Sequence, residues 1–328
     1  MLIYPMSAVC LCFFTRRSGR AETCECFLPS PDVYKRQALG GARFLENEPM
    51  SRHTTFRVGG PAEYMFFPAS AEEIRAALRA AEEAGAPVHL VGNGSNLIVR
   101  DGGLRGLTLV LSDAFSKIEI EGNLLRAQAG APLSRVASAA ADAGLSGLEF
   151  AGGIPGTLGG GCAMNAGAYG GQLSDVLECA EVLLGGAART LTLEQMEMGY
   201  RTTLPLREGG VVLSASFRLS PDAPEAIRAR MRELNARRRE KQPLTLPSAG
   251  STFKRPEGHF AGALIEGCNL KGCAIGGAQV SEKHAGFIVN AGGATARDIL
   301  ALIDHVKRVV YAETGVELEP EVRILGEG

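Results

Sequence analysis

Residues 151–171 read AGGIPGTLGGGCAMNAGAYGG, and nine of these residues are glycine. Ordinary helices and strands do not tolerate this density, because each interior glycine costs roughly 0.5–1 kcal/mol relative to alanine. Glycine is favoured where the backbone must approach a ligand more closely than a Cβ allows, and freed N–H groups then form concave sites for phosphate groups. Residues 91–99, VGNGSNLIV, have the same character. The two segments therefore predict a binding site for a large phosphate-bearing cofactor.

Neither glycine-rich segment matches the two commonest nucleotide-binding motifs. A P-loop ends in Gly-Lys-Ser/Thr, and no such triplet occurs in either segment. The dinucleotide motif Gly-x-Gly-x-x-Gly needs a third glycine and a following helix, but Leu97 occupies that position and a β-branched run follows it. The simpler alternative, that both segments are only flexible loops, stays open.

The composition indicates a soluble protein with a substantial core. The chain has 328 residues, 45% of them hydrophobic, and a formal net charge of −2, which argues against a primary nucleic-acid surface. The longest apolar run, residues 8–14, is far shorter than the ~20 residues that span a membrane. We therefore expect neither a nucleic-acid partner nor a membrane partner.

Residues 1–37 differ from the remainder of the chain. They contain four of the eight cysteines but no amphipathic period, and their arginines follow the apolar stretch, whereas a secretory signal has them before it. Two Cys-x-Cys pairs could form a metal clip, but no further ligand completes a set nearby. We expect a disordered or spurious leader whose deletion leaves activity unchanged. The four remaining cysteines are scattered, as expected of reduced thiols in the cytoplasm.

The pattern of apolar residues predicts a mixture of helices and strands. Ser70 and Glu73 form a capping box before a helix that ends at Gly85, between strands at 63–67 and 88–91. Further strands are predicted at 107–111, 117–120, 124–128, 176–184, 211–219, 287–290 and 321–325, and further helices at 132–144, 221–241, 260–266 and 295–315. Composition shifts near residues 112 and 222 predict domain boundaries, with the last strand returning to the first domain.

Seven short motifs follow one another over residues 39–328. They are HTTFRVGG (53–60), GNGSN (92–96), GIPGT (153–157), MNAGAYG (164–170), GYR (199–201), AGSTFK (249–254) and LEPEVR (318–323). Any one of them is a weak signal, but together they resemble one family, the UDP-N-acetylenolpyruvoylglucosamine reductases, which are the MurB flavoproteins of peptidoglycan synthesis. The short span between Arg201 and Ser251 resembles the second type of this family, which lacks an extra tyrosine-bearing loop.

The resemblance implies an α+β fold, with a two-subdomain FAD-binding domain like that of vanillyl-alcohol oxidase (PCMH-like) and a separate α+β substrate-binding domain. The expected division is a leader at 1–37, a first FAD-binding subdomain at 38–112 joined by a C-terminal strand at 313–328, a second subdomain at 113–222 and a substrate-binding domain at 223–312. Non-covalently bound FAD would contact Gly92, Asn93, Gly94, Ser95, Asn96, Gly153, Ile154, Pro155, Gly156, Thr157, Gly160, Asn165 and Gly167.

The resemblance also implies a reaction, the NADPH-dependent reduction of UDP-N-acetylglucosamine enolpyruvate to UDP-N-acetylmuramate by a cytoplasmic monomer. NADPH would give hydride to flavin N5, which would deliver it to the vinyl carbon. Arg201 would stabilise the negative charge that spreads into the substrate carboxylate, because guanidinium stays charged and presents a planar donor fork. Ser251 would protonate the neighbouring carbon, and Glu321 would orient these groups or act as an acid.

Other site residues are also implied by the resemblance. Tyr200, Lys241, Lys254 and Gln279 are the expected substrate contacts. Glu319 competes with Glu321 for its role, since both would point to the same face of a strand. His284 lies in a family-like run, for which we favour a structural role. No set of His, Cys, Asp and Glu has the spacing of metal ligands, so we expect no metal.

Two other functions stay open. The same scaffold serves FAD oxidases of small alcohols or sugars, which often attach FAD covalently through His or Cys. The absence of an obvious histidine from the first glycine-rich loop argues against this function. The other alternative is a nucleotide-binding protein that has lost catalysis, and the intact set of Arg201, Ser251 and Glu321 argues against it.

Overall fold

The computed structural model describes residues 43–328, so the expected leader lies outside the described residues. The N-terminal region comprises β1 (Phe44–Pro49), β2 (Pro61–Phe66), β3 (Val88–Val91), β4 (Leu97–Val99), β5 (Leu104–Val110) and helix α1 (Ala71–Glu83). Four of these strands form a sheet in the order β1-β2-β5-β3. Strand β5 pairs in parallel with both β2 and β3, whereas β1 and β2 are antiparallel, so the sheet is mixed.

Helix α1 begins and ends as the sequence predicts, but its N-terminus is only half of a capping box. The hydroxyl of Ser70 accepts the N–H of Glu73 at 3.2 Å. The carboxylate of Glu73 accepts from the N–H of Ala69 at 2.7 Å and forms an ion pair with Arg43 at 2.7 Å. The predicted capping box is therefore only half formed, because the carboxylate of Glu73 binds Ala69 and Arg43 and not the N–H of Ser70.

The middle region is built on an antiparallel sheet in the order β12-β11-β13-β7-β6. Its strands are β6 (Ile118–Glu121), β7 (Leu124–Gln128), β8 (Leu145–Ser146), β9 (Gly167–Ala168), β10 (Gly171–Gln172), β11 (Leu177–Leu184), β12 (Ala187–Thr192), β13 (Val211–Arg218) and β14 (Ser220–Pro221). Its helices are α2 (Leu133–Asp142), α3 (Leu158–Ala163), α4 (Leu204–Arg207) and α5 (Pro224–Lys241). The hairpin β6–β7 turns at Gly122 with φ of +57°, as predicted. The predicted start of α5 at residue 221 is too early, because Ser220 and Pro221 pair with β8.

The C-terminal region is a small sheet packed on a long helix. It comprises β15 (Ala274–Ile275), β16 (Ala278–Val280), β17 (Ile288–Asn290), β18 (Arg323–Leu325), α6 (Ala261–Gly267) and α7 (Ala296–Thr314). Helix α7 begins with the predicted capping box of Thr295 and Asp298 and ends at Gly315, whose φ is +71°. The carboxylate of Asp101 also accepts the first two N–H groups of α7, which ties this helix to the N-terminal region.

The hydrophobic clusters connect these regions. Strand β18 pairs in parallel with β4, so the chain returns to the N-terminal region. Helix α5 packs through Met231 and Leu234 against the core of the middle region, although the expected division assigns most of this helix to the substrate-binding domain. A second cluster joins the C-terminal region to Phe56 and Val58 of the N-terminal region. All three regions therefore meet around the loops that carry the glycine-rich segments.

Candidate active site

A cavity of about 1360 Å³ lies where the three regions meet. Its wall includes most of the residues that the sequence predicts for the site. These are Gly92, Asn93, Gly94, Ser95, Asn96, Gly153, Ile154, Pro155, Gly156, Thr157, Gly160, Gly167, Arg201, Lys241, Ser251 and Glu321. The fold thus brings both glycine-rich loops and the three expected catalytic side chains to one cavity.

Close packing of the first loop, against the second loop at Gly92 and against the backbone of His53 at Gly94, explains two of the glycines. A Cβ on Gly92 would lie 2.3 Å from the hydroxyl oxygen of Thr157, and one on Gly94 would lie 2.0 Å from the carbonyl oxygen of His53. Gly94 also has φ of +59°, which disfavours other residues. The side-chain amide of Asn93 donates to the carbonyl of Pro155 at 2.6 Å and ties the first loop to the second. Gly160, by contrast, is exposed on the wall, where a Cβ would meet nothing closer than 3.7 Å.

Asn165 is the one expected cofactor contact that does not line the cavity. It is buried, with φ of +42°, and its amide donates to the carbonyl of Gly199 at 3.3 Å. Its carbonyl oxygen accepts the N–H of Ser174 at 3.1 Å. Asn165 therefore supports the turn that carries Arg201.

Arg201 occupies a strained position in a tight turn. Gly199 and Thr202 pair across the turn, with the N–H of Gly199 2.9 Å from the carbonyl of Thr202. Arg201 has φ of +56°, a conformation that side-chain-bearing residues rarely adopt. Strain of this kind persists only where the surroundings fix it, and it concentrates at functional sites.

Arg201 and Glu321 form the central ion pair of the site. Nε of Arg201 lies 2.6 Å from Oε1 of Glu321, and the two side chains are only 22% and 10% exposed. The Nε–H of Arg201 nonetheless has no hydrogen-bond acceptor in line with it. Burial raises the pKa of Glu321 above its ordinary value, and the opposing effects of Arg201, Tyr200 and Lys254 do not offset that penalty. The pair therefore combines a guanidinium that stays charged with a carboxyl group that holds a proton more tightly than usual.

Backbone hydrogen bonds bring Ser251 to the same place. The N–H of Glu321 donates to the carbonyl of Thr252 at 2.8 Å, and the N–H of Thr252 donates to the carbonyl of Gly286 at 2.9 Å. The hydroxyl of Thr252 is buried and accepts the N–H of Ile288 at 3.0 Å. Ser251 itself is exposed on the cavity wall, so its hydroxyl is accessible to a bound ligand.

Glu319 and Glu321 do not share a face, which corrects the sequence-based expectation. The last strand begins only at Arg323, and Pro320 forms an isolated bridge with Phe253. The Glu319 side chain is 68% exposed and pairs with Lys254, whereas Glu321 is buried against Arg201. Of the two glutamates, Glu321 alone lines the cavity.

Three of the four expected substrate contacts lie off the cavity wall. Lys241 lines it from the end of α5. Lys254 pairs with Glu319, and the amide of Gln279 donates to the carbonyl of Gly272 at 3.3 Å. The Tyr200 hydroxyl accepts the N–H of Arg255 at 3.3 Å. His284, for which we favoured a structural role, does line the cavity; its Nδ1 accepts the N–H of Gly286 at 3.1 Å, and burial lowers its pKa.

Sequence reasoning missed several cations of the wall. Arg57, Arg238, Arg239 and Arg323 line the cavity beside Arg201 and Lys241, whereas Glu321 is its one carboxylate among the described residues. Arg238 is 9% exposed, its Nε has no hydrogen-bond acceptor, and its Cζ lies 6.0 Å from the ring of Tyr169. The basic run of α5 was the available signal, but periodicity does not identify which arginine faces inward. The cavity is suited to a strongly anionic ligand.

The described residues contain neither a group of metal ligands nor a membrane-spanning helix. Within residues 43–328, no three His, Cys, Asp or Glu side chains are grouped in a way that could hold a metal ion. No helix in that part of the chain is both long and apolar enough to cross a membrane.

Two family models match the chain, and together they cover most of it. The model described as FAD binding domain matches residues 62–193. The model described as UDP-N-acetylenolpyruvoylglucosamine reductase, C-terminal domain, matches residues 242–325. The second match begins directly after α5.

Curated proteins named UDP-N-acetylenolpyruvoylglucosamine reductase are similar over nearly their whole length. The one from Agathobacter rectalis is 49% identical over 296 residues, covering 86% of this chain and 94% of its own. The one from Latilactobacillus sakei is 50% identical over 281 residues, covering 85% and 92%. A crystal structure of UDP-N-acetylenolpyruvylglucosamine reductase (MurB) from Thermus caldophilus matches with a TM-score of 0.74 and 36% identity, covering 86% of this chain and 97% of that one.

Proposed function

The chain belongs to the UDP-N-acetylenolpyruvoylglucosamine reductase family, and from this premise we propose that it reduces UDP-N-acetylglucosamine enolpyruvate to UDP-N-acetylmuramate with NADPH, for peptidoglycan synthesis. The expected family and the α+β fold with an FAD-binding domain are confirmed, and the protein is an FAD-dependent oxidoreductase. The observation that carries the finer proposal is the Arg201–Glu321 pair, which faces the same cavity as Ser251 and both glycine-rich loops.

The residues of the cavity fit FAD. The glycine-rich loops leave their backbone free of Cβ atoms at Gly160 and Gly156, and the buried Nε of Arg238 lacks an acceptor that a phosphate oxygen could supply. We infer that residues 92–96 and 153–160 hold the FAD pyrophosphate, with Arg238 beside them. The chemistry that FAD supplies when bound is hydride transfer from NADPH to the vinyl carbon of the substrate.

Arg201 would bind the enolpyruvyl carboxylate and stabilise the negative charge that develops there. Its guanidinium is already held near the cavity by a strained turn, so little reorganisation is needed when the charge appears. Glu321 keeps Arg201 in place through the 2.6 Å contact. Because burial raises the pKa of Glu321, this carboxyl group can also hold a proton in the site.

Ser251 would donate the proton that completes the reduction. A serine hydroxyl is a weak acid, but a carbanion-like carbon is a strong base, so the transfer is favourable once the two atoms are aligned. The hydrogen bonds of Thr252 to Gly286 and Glu321 fix the backbone next to Ser251. These contacts support a proton donor in a defined position.

The positive charge of the cavity wall is suited to the anionic ligands that the proposed reaction would bind one after another. Six cationic side chains and one carboxylate line the cavity, whereas the FAD pyrophosphate, the substrate diphosphate and the substrate carboxylate are all negative. NADPH carries an additional phosphate and would also be attracted by this cavity. Lys241, exposed at the end of α5, is our proposed contact for the substrate diphosphate.

We propose three functional units that follow the packing of the described residues. The N-terminal region with β18 is the first FAD-binding subdomain, and the middle region, extended to the end of α5, is the second. The C-terminal region from residue 242 is the substrate-binding domain, in agreement with the start of the family model. We further propose a monomer that works in the cytoplasm, where NADPH and nucleotide sugars are available.

Anaerobic stopped-flow absorbance of the purified yellow protein tests the proposal. NADPH should bleach the flavin absorbance, and subsequent addition of UDP-N-acetylglucosamine enolpyruvate should restore it rapidly. Bleaching without recovery would refute the proposed substrate and indicate another acceptor. Acid precipitation serves as a control for the FAD oxidases with covalent flavin: the yellow colour should stay in the supernatant.

A further inference from the structure

Tyr200 has an exposed ring but an engaged hydroxyl. The residue is 60% exposed and does not line the cavity. Its hydroxyl oxygen nevertheless accepts the N–H of Arg255 at 3.3 Å. The same hydroxyl also acts to lower the pKa of Glu321, so it faces that carboxyl group. A phenol has one O–H donor and can also accept, so the two contacts are compatible.

The ring of Tyr200 contacts the other member of the central ion pair. Cζ of Arg201 lies 5.5 Å from the ring centroid, within the range of a cation–π interaction. Tyr200 therefore contacts Arg201 through its ring and faces Glu321 through its hydroxyl. On the inner side of the same turn, Asn165 holds the carbonyl of Gly199, and the Thr203 hydroxyl donates to the carbonyl of Ala163 at 2.9 Å. Tyr200 supplies the contacts on the outer side.

Tyr200 also bridges two regions of the fold. The turn 199–202 belongs to the middle region, whereas Arg255 and Glu321 belong to the C-terminal region. There, the N–H of Lys254 donates to the carbonyl of Glu319 at 2.8 Å, and Cζ of Arg255 lies 4.0 Å from the ring of Phe260. These contacts hold in place the segment around Arg255, whose N–H donates to the Tyr200 hydroxyl.

We propose that Tyr200 is a positioning residue for the proposed reduction, which fixes Arg201 and Glu321 relative to each other from outside the cavity. This inference rests on the proposed function. It replaces the expected role of Tyr200 as a substrate contact, because its hydroxyl is bound to protein groups and its ring lies off the cavity wall. The groups that face the Glu321 carboxylate are Arg201, Tyr200 and Lys254, of which Lys254 is itself paired with Glu319.

The test is Tyr200→Phe, which keeps the ring over Arg201 and removes only the hydroxyl. Tyr311→Phe is the matched control, since Tyr311 is 61% exposed on α7. We expect reduction by NADPH, FAD retention and melting temperature to equal those of the wild type. Reoxidation by the sugar nucleotide should slow roughly ten- to hundredfold, as for loss of a hydrogen bond to a charged group, with little change in KM.

The pH profile and a double-mutant cycle distinguish positioning from a merely structural role. The Tyr200 hydroxyl favours the ionised form of Glu321, so its removal raises the pKa of Glu321 further. The limb of the reoxidation profile that reports Glu321 should therefore move to higher pH in Tyr200→Phe. If Tyr200 acts through Glu321, Tyr200→Phe should cost much less in the Glu321→Gln background than in the wild type.

Several outcomes would overturn the inference. A higher KM with unchanged kcat would make Tyr200 a substrate contact, and additive effects in the cycle would make it independent of Glu321. If Tyr200→Phe behaves like the wild type, and the wild-type enzyme itself is reoxidised by the sugar nucleotide, the positioning role of Tyr200 is refuted and the proposed function is not. Failure of the wild type to be reoxidised would instead refute the proposed function.

Discussion

Three residues that line the cavity have a left-handed backbone conformation although none of them is glycine. They are Arg57, Tyr169 and Arg201, with φ of +57°, +54° and +56°. Each such position costs on the order of 1–3 kcal/mol and persists only where neighbouring contacts over-determine it. At Arg201 those contacts are the turn pairing and the bond from Asn165 to Gly199. The strain therefore supports a positioned guanidinium rather than a flexible surface arginine.

Replacement of Ser251 by alanine should separate the two halves of the proposed reaction. Ser251→Ala removes a hydroxyl from the cavity wall and no hydrogen bond that holds the fold, so folding and flavin reduction by NADPH should be unchanged. Reoxidation by the sugar nucleotide should slow about 100-fold or more, because a positioned proton donor typically contributes a factor of that order. Stopped-flow absorbance measures both rates. Ser134→Ala, on the exposed face of α2, is the control; slower flavin reduction in Ser251→Ala would contradict the assignment.

Arg238 should contribute to FAD affinity. In Arg238→Met the long apolar stem is kept, but the buried Nε without an acceptor is lost. If a phosphate oxygen of FAD occupies that position, the FAD dissociation constant should rise roughly ten- to hundredfold, as for loss of a charged hydrogen bond. Fluorescence of released FAD measures this change without any assay of activity. Arg237→Met is the control, because Arg237 lies next to Arg238 on α5 but is exposed and paired with Glu233. Equal FAD affinity of the two variants would exclude a contact between Arg238 and FAD.

Helix α5 shows what an amphipathic pattern can and cannot predict. The pattern identified the helix and its inward residues Met231 and Leu234, because an apolar stripe follows from helical spacing alone. The opposite face of the helix is rich in arginine, and helical spacing alone does not assign these side chains to solvent, to a ligand or to ion pairs. In the structure Arg228 pairs with Asp142 and Arg230 with Glu149 and Asp222. These partners could not be predicted, since Asp142 and Glu149 lie far away in the sequence and are brought close only by the fold.

The ion pair of Arg230 should make the docking of α5 dependent on pH. Burial acts to raise the pKa of Glu149, but Arg230, the N–H of Gly147 and Ser146 together lower it below its ordinary value. A carboxylate with a lowered pKa stabilises the folded state above its unfolded pKa, and this contribution disappears as pH falls through the folded value. Arg230→Met should therefore destabilise the folded state at neutral pH, where Glu149 is ionised and loses its charged partner.

Urea unfolding between neutral pH and pH 3 measures this dependence. The difference in the free energy of unfolding between Arg230→Met and the wild type should shrink as pH falls toward the lowered folded pKa of Glu149, because protonation of this carboxylate removes the ion pair. Arg232→Met, at an exposed position of the same helix, should lose little at any pH. A destabilisation of Arg230→Met that is independent of pH would mean that its stem, and not its charge, supports the helix.

At the scale of the molecule, the sequence predicted that both loops bind one cofactor, but it did not predict the contacts that bring Arg201 and Glu321 together. Glycine density and motif order were sufficient to identify the family and a set of site residues most of which line the cavity, because backbone requirements are local. The contact between Arg201 and Glu321 joins a turn of the middle region to the segment before β18. It depends on the parallel pairing of β18 with β4 and on the bond from Glu321 to Thr252. Neither leaves a periodic signal, which is why Glu319 and Glu321 could not be distinguished from sequence.

The excess of cations in the cavity leads to a prediction for removal of FAD. Six cationic groups around one carboxylate repel one another when no anion is bound. FAD at a fixed concentration, about 100 times the dissociation constant that it has in 0.1 M sodium chloride, should stabilise the deflavinated protein in that salt by about 2.7 kcal/mol, roughly 4 °C in melting temperature for a chain of this size. Because phosphate contacts are screened by salt, this increase should be clearly smaller in 1 M than in 0.1 M sodium chloride, where the Debye length is about 3 Å and about 10 Å. Riboflavin, which lacks the phosphates, is the matched ligand; its smaller stabilisation should not depend on salt. Differential scanning fluorimetry measures all four conditions, and an FAD effect that is equal at both salt concentrations would show that the cavity cations do not bind the pyrophosphate.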